Sequence, residues 1–265
     1  PFYEDSYKLV EVPYLGMEHQ SSVTYGNNYQ NGHNGHDISG TGWGLKFDYI
    51  IIHESGHEWF ANNITYKDIA DMWIHESFTT YSEVLFIEYY YGKEAANEYA
   101  RGIRKMIANK ESIIGHYDVN REGSGDMYPK GANMIHTIRQ VINDDAKWKS
   151  ILRGMNKTFY HQTVTTKQIE DFINQESGID FSPVFDQYLR TPQVPTFEYY
   201  FKDQKLVYHW INAVENFNLP LKVTFNGVET WLKPTTDWKT ENVNSDKSTL
   251  VVDKNFYVTE FNITN

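Results

Sequence analysis

Cysteine is absent from the 265-residue sequence. That excludes a disulfide framework and any thiolate metal site, and it leaves the compartment unknown. No apolar run reaches the roughly eighteen residues a membrane-spanning helix needs. The segment Pro1 to Val10 has neither the charged start nor the apolar core of a secretory signal, and proline is not a native first residue, so an excised piece or a processed form is expected. Basic residues are outnumbered, 24 Lys and Arg against 35 Asp and Glu, for a net charge of -11. An acidic surface repels nucleic acid and anionic membrane, so neither is expected as a partner. Internal repeats and low-complexity tracts are missing as well.

What is present suits a globular protein of one large domain or two modest ones, with 40% hydrophobic and 22% charged residues. Aromatics reach 16%, including 20 Tyr. Tyrosine in that quantity supplies core and groove walls alike and assigns no function by itself.

Tyr7 to Tyr14 and Ser21 to Tyr25 read as strands around a turn-like Gly16. From Gly26 to Gly44 the composition is that of a loop, and His33 and His36 within it lack a carboxylate partner, which makes them solvated side chains rather than ligands. Helical periodicity predicts spans near 48–61, 68–91, 93–110, 130–143, 146–160, 166–176 and 182–190. Pro192 and Pro195 then end helix and mark a boundary. Beyond them, 196–202, 205–212, 219–225, 229–232, 249–252 and 255–262 are short alternating runs, the pattern of a small β-sandwich.

The segment His53-Glu54-Ser55-Gly56-His57 carries chemistry. A four-residue step on an α-helix turns about 400° and rises about 6 Å, so His53 and His57 share a face and can grip one ion. Glu54 is offset by about 100°, beside the open coordination position, where it can take a proton from water instead of ligating. Eighteen residues separate His57 from Glu76, which lies in a second helical run able to fold back on the first and supply a third ligand. Two imidazoles, a carboxylate and water form a catalytic set rather than a closed structural one. The pattern also arises by chance on surface helices. Here the apolar run Phe47 to Ile52 and Trp59-Phe60 make the helix too apolar for a solvated face, and polar groups buried there need a partner.

Three segments in order resemble the M1 family of zinc aminopeptidases, the gluzincins. HESGHEWFANNIT (53–65) followed by DMWIHESF (71–78) is similar to the family's HExxHxWFGNxVT and DxWLNEGF. Gly16-Met17-Glu18-His19 resembles GxMEN, and Tyr128-Pro129-Lys130-Gly131 resembles the segment that carries the family's catalytic tyrosine. The resemblance implies one Zn2+ per chain held by His53, His57 and Glu76, with Glu54 as general base and Tyr128 as donor to the oxyanion. It implies further that Glu18 pairs with a peptide's free α-ammonium while Gly16 and Met17 present backbone to the substrate. His75 stands where the family has Asn and competes with Glu76 as third ligand, but the two point about 100° apart, and the resemblance favours Glu76. Ala61, Ser77 and His19 also depart from the pattern, which puts side-chain preference in question more than the chemistry.

The expected fold is therefore α+β: a thermolysin-like zinc peptidase catalytic domain, a short mixed sheet followed by helices, over 1–191, and a β-sandwich domain over 192–265. The expected function is zinc-dependent removal of the N-terminal residue from peptides with a free N-terminus. The rivals are a zinc endopeptidase, a decayed non-catalytic peptide-binding module and, within the family, epoxide hydrolysis. An N-terminal β-domain is expected in the complete protein.

Overall fold

A computed structural model of the chain describes residues 6–243 and 249–263. The expectations placed on Pro1 to Asp5 lie outside the described residues. Three short strands come first: β1 (Leu9–Glu11), β2 (Gly16–Met17) and β3 (Val23–Tyr25), ordered β1-β3-β2, with β1 parallel and β2 antiparallel to β3. Gly16 lies within β2 and is not a turn residue. A Cβ there would come within 2.8 Å of Ile50 Cγ2 and 3.1 Å of Glu54 Oε1, so only glycine lets the strand approach the next helix this closely.

That helix, α1 (Tyr49–Gly56), starts on Asp48, whose carboxylate accepts from the Ile51 amide at 3.3 Å. It is shorter than the predicted 48–61. After Gly56 the chain turns and enters β4 (Ile64–Tyr66), which pairs in parallel with β5 (Gln162–Val164) nearly a hundred residues later. Neither strand was expected, because three residues are too few to show alternation. The helical layer is otherwise close to prediction: α2 (Trp73–Tyr91), α3 (Lys93–Gly102), α4 (Pro129–Ile142), α5 (Asp145–Thr158), α6 (Thr166–Ser177) and α7 (Ser182–Arg190). Local chemistry sets their ends. Thr165 and Gln168 form a capping box for α6, Pro129 opens α4, and Asn143 and Gly178 adopt the left-handed conformation that ends α4 and α6. The predicted span 93–110 breaks into α3 and a 3-10 turn at Ile103–Met106.

The tail forms two sheets. Strands β6 (Thr196–Lys202), β7 (Lys205–Ile211), β10 (Lys239–Asn242) and β12 (Thr259–Asn262) are ordered β10-β7-β6-β12, while β8 (Leu221–Phe225), β9 (Val228–Leu232) and β11 (Leu250–Val252) are ordered β11-β8-β9. β6 and β7 alternate as a half-buried pair should: Phe197, Tyr199 and Phe201 face inward beside Leu206, Tyr208 and Trp210. β10, composed of Lys, Thr, Glu and Asn, was missed because it has no apolar face to read. The predicted strand at 255–262 shrinks to β12, since Asp253–Tyr257 turns to meet the helices. There Arg104 donates to the carbonyls of Lys254 and Asn255, and the Tyr188 hydroxyl donates to the carbonyl of Tyr257. Among the described residues no helix is long and apolar enough to cross a membrane.

One buried group gives the fold a pH signature. His136 on α4 is fully buried, and burial, aided by the Arg104 and Arg139 charges, pushes its pKa down to about 3. The unfolded chain therefore takes this proton first. His136 should cost no stability above its ordinary pKa of roughly 6.5, then about 1.4 kcal/mol for each pH unit below it, until the folded pKa is reached. Urea titrations between pH 4 and 7 should show a flatter acid limb for His136→Gln than for the parent protein; parallel limbs would exclude this origin.

Candidate active site

Burial and periodicity place the two histidines. Residues 49, 53 and 57 lie one turn apart at the buried side of α1, and α2 packs against that side with Glu76 in its first turn. His53 Nε2 lies 3.3 Å and His57 Nε2 3.4 Å from the same oxygen, Glu76 Oε2. All three side chains are buried, and one donor atom from each falls within 4.8 Å of the other two. A tetrahedral zinc site with bonds of about 2.1 Å has ligand-to-ligand edges of about 3.4 Å, so the spacing and the donor set both fit that ion.

The ring nitrogens turned away from this focus are also held. His53 Nδ1 is 2.8 Å from Glu83 Oε1, whose other oxygen accepts from the Tyr99 hydroxyl at 2.5 Å. His57 Nδ1 lies 3.0 Å from the Phe60 carbonyl and 3.1 Å from Thr79 Oγ1. With Nδ1 engaged, each Nε2 is left to face the cation position, the arrangement metal-ligating histidines need. Sequence reasoning missed Glu83, Tyr99 and Thr79. A signal for Glu83 existed: it is seven residues after Glu76, two turns along the same helix face. Tyr99, on another helix, left none.

Electrostatics at the focus favour a cation. Burial would raise the Glu76 carboxyl, but the adjoining His53 and His57 imidazoles outweigh it and hold the group well below the usual carboxylate range. Burial likewise opposes charging His53, yet Glu76 and Glu83 raise it well above the ordinary imidazole value. Burial raises Glu54. Its Oε2 is enclosed and has no hydrogen-bond partner in the protein, and a donor atom of Glu18 lies within 4.8 Å of donor atoms of both Glu54 and His57. Four carboxylates, those of Glu18, Glu54, Glu76 and Glu83, thus surround two imidazoles.

His75 is not part of the focus. Its Nε2 accepts from the Tyr66 amide at 3.0 Å and its ring stacks on Tyr66, with centroids 4.2 Å apart. Burial first, then the nearby His57, lower its pKa to about 3. Tyr128 does reach the site: its ring stacks on His53 at 6.0 Å, and burial, with the neighbouring Glu76 carboxylate, raises its hydroxyl pKa well above the phenol range. Lys130 of the same segment is structural. It is completely buried, donates to the Thr191 carbonyl at 2.9 Å, and is lowered by burial to about 8. Gly16 and Met17 lie on β2, an edge strand of its sheet among the described residues, and Glu18 follows directly. The Glu18 carbonyl is fixed by Asn62 Nδ2 at 3.2 Å. His36 is exposed as expected; His33 is half-buried, its ring edge-on to Tyr49 at 5.2 Å.

Comparison with known proteins identifies the family. The family model described as the Peptidase family M1 domain matches residues 5–188. Aminopeptidase N of Lactococcus lactis subsp. lactis is 23% identical over 205 residues, covering 68% of this chain and 23% of that protein. Aminopeptidase B of Mus musculus is 25% identical over 170 residues, covering 56% of this chain and 26% of that protein. Among solved structures, Legionella pneumophila aminopeptidase A in complex with aspartic acid superposes with a TM-score of 0.72 at 14% identity, over 96% of this chain and 31% of that one. An M1 zinc metallopeptidase E323A mutant from Deinococcus radiodurans, bound to a Tyr-Ser-Ala substrate, gives 0.54 at 20% identity, over 69% and 39%. The chain thus spans only about a quarter of the length of the Lactococcus aminopeptidase N and the mouse aminopeptidase B.

Proposed function

Because this chain belongs to peptidase family M1, we propose that it is the catalytic part of a zinc-dependent aminopeptidase, removing the N-terminal residue from peptides with a free α-amine. The convergence of His53, His57 and Glu76 on one point, with Glu54 and Glu18 alongside, carries this reading. One zinc ion held by those three side chains would supply the Lewis acid that polarises a peptide carbonyl and acidifies water.

The chain's own residues do the rest. A peptide aligns along the edge of β2 that no described strand covers, through the backbone of Gly16 and Met17, as an added strand. Glu18 pairs with the terminal ammonium and so sets the scissile bond one residue in from the end. Glu54 takes the proton of the attacking water and delivers it to the departing amine. The Tyr128 hydroxyl donates to the oxygen on which negative charge develops. We read the helical part as thermolysin-like and the two tail sheets as a β-sandwich, with the division near residue 192. In the complete protein we place an N-terminal β-domain before this part.

Glu18 distinguishes this function from internal cleavage. A free-amine peptide should be cleaved at least about 10²-fold more efficiently than its N-acetylated counterpart, and Glu18→Ala should remove most of that ratio, since truncating one partner of a desolvated charge pair costs roughly 2–5 kcal/mol. Equal kcat/KM for the two peptides would instead identify an endopeptidase.

A further inference from the structure

The contacts around His53 give the site a direction. Glu18 lies beside His57; the rings of His57 and His53 are 4.9 Å apart; Tyr49 stacks on His53 at 5.3 Å and 18°; and His33 meets Tyr49 at 5.2 Å and 61°. If the amine end of a peptide sits at Glu18, the part beyond the scissile bond runs past His53 toward Tyr49 and His33. We propose that Tyr49 and His33 form the subsite for the second residue of the substrate and that this subsite favours an aromatic side chain there. The inference rests on the aminopeptidase reading above.

The wall is built rather than loose. His33 and His36 exchange backbone hydrogen bonds of 2.9 and 3.0 Å across Asn34-Gly35, both in the left-handed conformation, which makes a tight two-residue hairpin. The buried Asn27 side chain ties this hairpin down: its amide donates to the Gly32 carbonyl at 2.9 Å and to Asp48 at 2.8 Å, and its oxygen accepts from the Asn34 amide at 2.7 Å. Asp48 is also the N-cap of α1, so the loop and the helix bearing Tyr49 share one anchor. His33 therefore reaches Tyr49 without an ordering cost when a ligand arrives. The two half-buried rings, meeting at 61°, are the surface that a third ring would contact edge-on or offset.

Peptides sharing one N-terminal residue and carrying Phe, Leu, Gly or Asp next test this. The wild-type protein should favour Phe over Gly by roughly two- to tenfold in kcat/KM. His33→Ala should bring that ratio close to one while metal stoichiometry and first-residue preference stay as they are, and His33→Phe should keep it. The same peptides titrated into Glu54→Gln, in which turnover is slowed by about 10²-fold or more, report the subsite apart from catalysis. A Phe preference in that titration with no turnover by the wild type would overturn the aminopeptidase reading and leave the subsite standing. Turnover with no preference for Phe, or a preference that survives His33→Ala, would overturn the subsite.

Discussion

Glu54→Gln should lower kcat by about 10² to 10⁴-fold, the range that general acid–base groups contribute. The substitution keeps the shape of the side chain and removes only its capacity to accept and return a proton. Glu54 is 5% exposed, sits one residue after His53, has an enclosed oxygen with no protein partner, and brings a carboxylate oxygen within 4.8 Å of a ring nitrogen of His57. No other carboxylate of the site among the described residues can take over. Glu76 is engaged by both imidazoles, Glu83 is engaged behind His53 by the imidazole and by Tyr99, and Glu18 is assigned to the substrate amine. Metal content and the affinity for free-amine peptides should be retained, which separates loss of the base from loss of the site. Turnover within a few-fold of the wild type, at unchanged metal content, would remove Glu54 from the mechanism.

Gly131→Ala should destabilise the protein by about 3 kcal/mol or more, near the upper end of what overpacking usually costs. A Cβ at position 131 would lie 1.9 Å from Ser77 Oγ and 2.7 Å from Ser77 Cβ. Rotating the serine relieves the first clash but not the second, so α2 and α4 must separate. Rotation also breaks the bond from Ser77 Oγ to the Met127 carbonyl at 2.6 Å. Ser77 directly follows Glu76, and Gly131 lies three residues after Tyr128. The same separation would pull a proposed metal ligand away from the proposed oxyanion donor. A melting temperature lower by about 6 to 12 °C is expected for a chain of this size. Ser77→Gly in the Gly131→Ala background should recover most of the loss, because the side chain that clashes is gone. A double variant no more stable than the single one would show that this contact is not the cause. Position 77 is where the family pattern has glycine, so this chain tolerates serine only because residue 131 has no side chain.

Much of the site was legible because its geometry is local. The i, i+4 relation of His53 and His57 holds on any α-helix, and His57, the C-cap of α1, keeps helical backbone angles and donates its amide to the His53 carbonyl. β6 and α7 match their predicted spans because alternation and amphipathic period are written into consecutive residues. The pairing of β4 with β5 was not legible, since two three-residue strands from distant parts of the chain share no local signal. The anchoring of the loop before α1 was not legible for a related reason. Its Gly and Asn content suggests freedom, but the Asn27 amide nitrogen lies within hydrogen-bond distance of the Gln30 and Gly32 carbonyls and of Asp48, and so fastens the loop to α1.

By itself, the sequence determined which donors exist and which pair shares a helix face: two imidazoles at helical spacing, a carboxylate between them, and an acid in the following helix. Tertiary structure alone decided which neighbour on α2 meets that pair. His75 and Glu76 point about 100° apart whatever the fold. The rotation of α2 between α1 and β4 turns His75 to the Tyr66 amide and Glu76 to the two Nε2 atoms. That rotation depends on packing summed over the whole helix, from Trp73 to Ile87, and no short stretch of residues contains it.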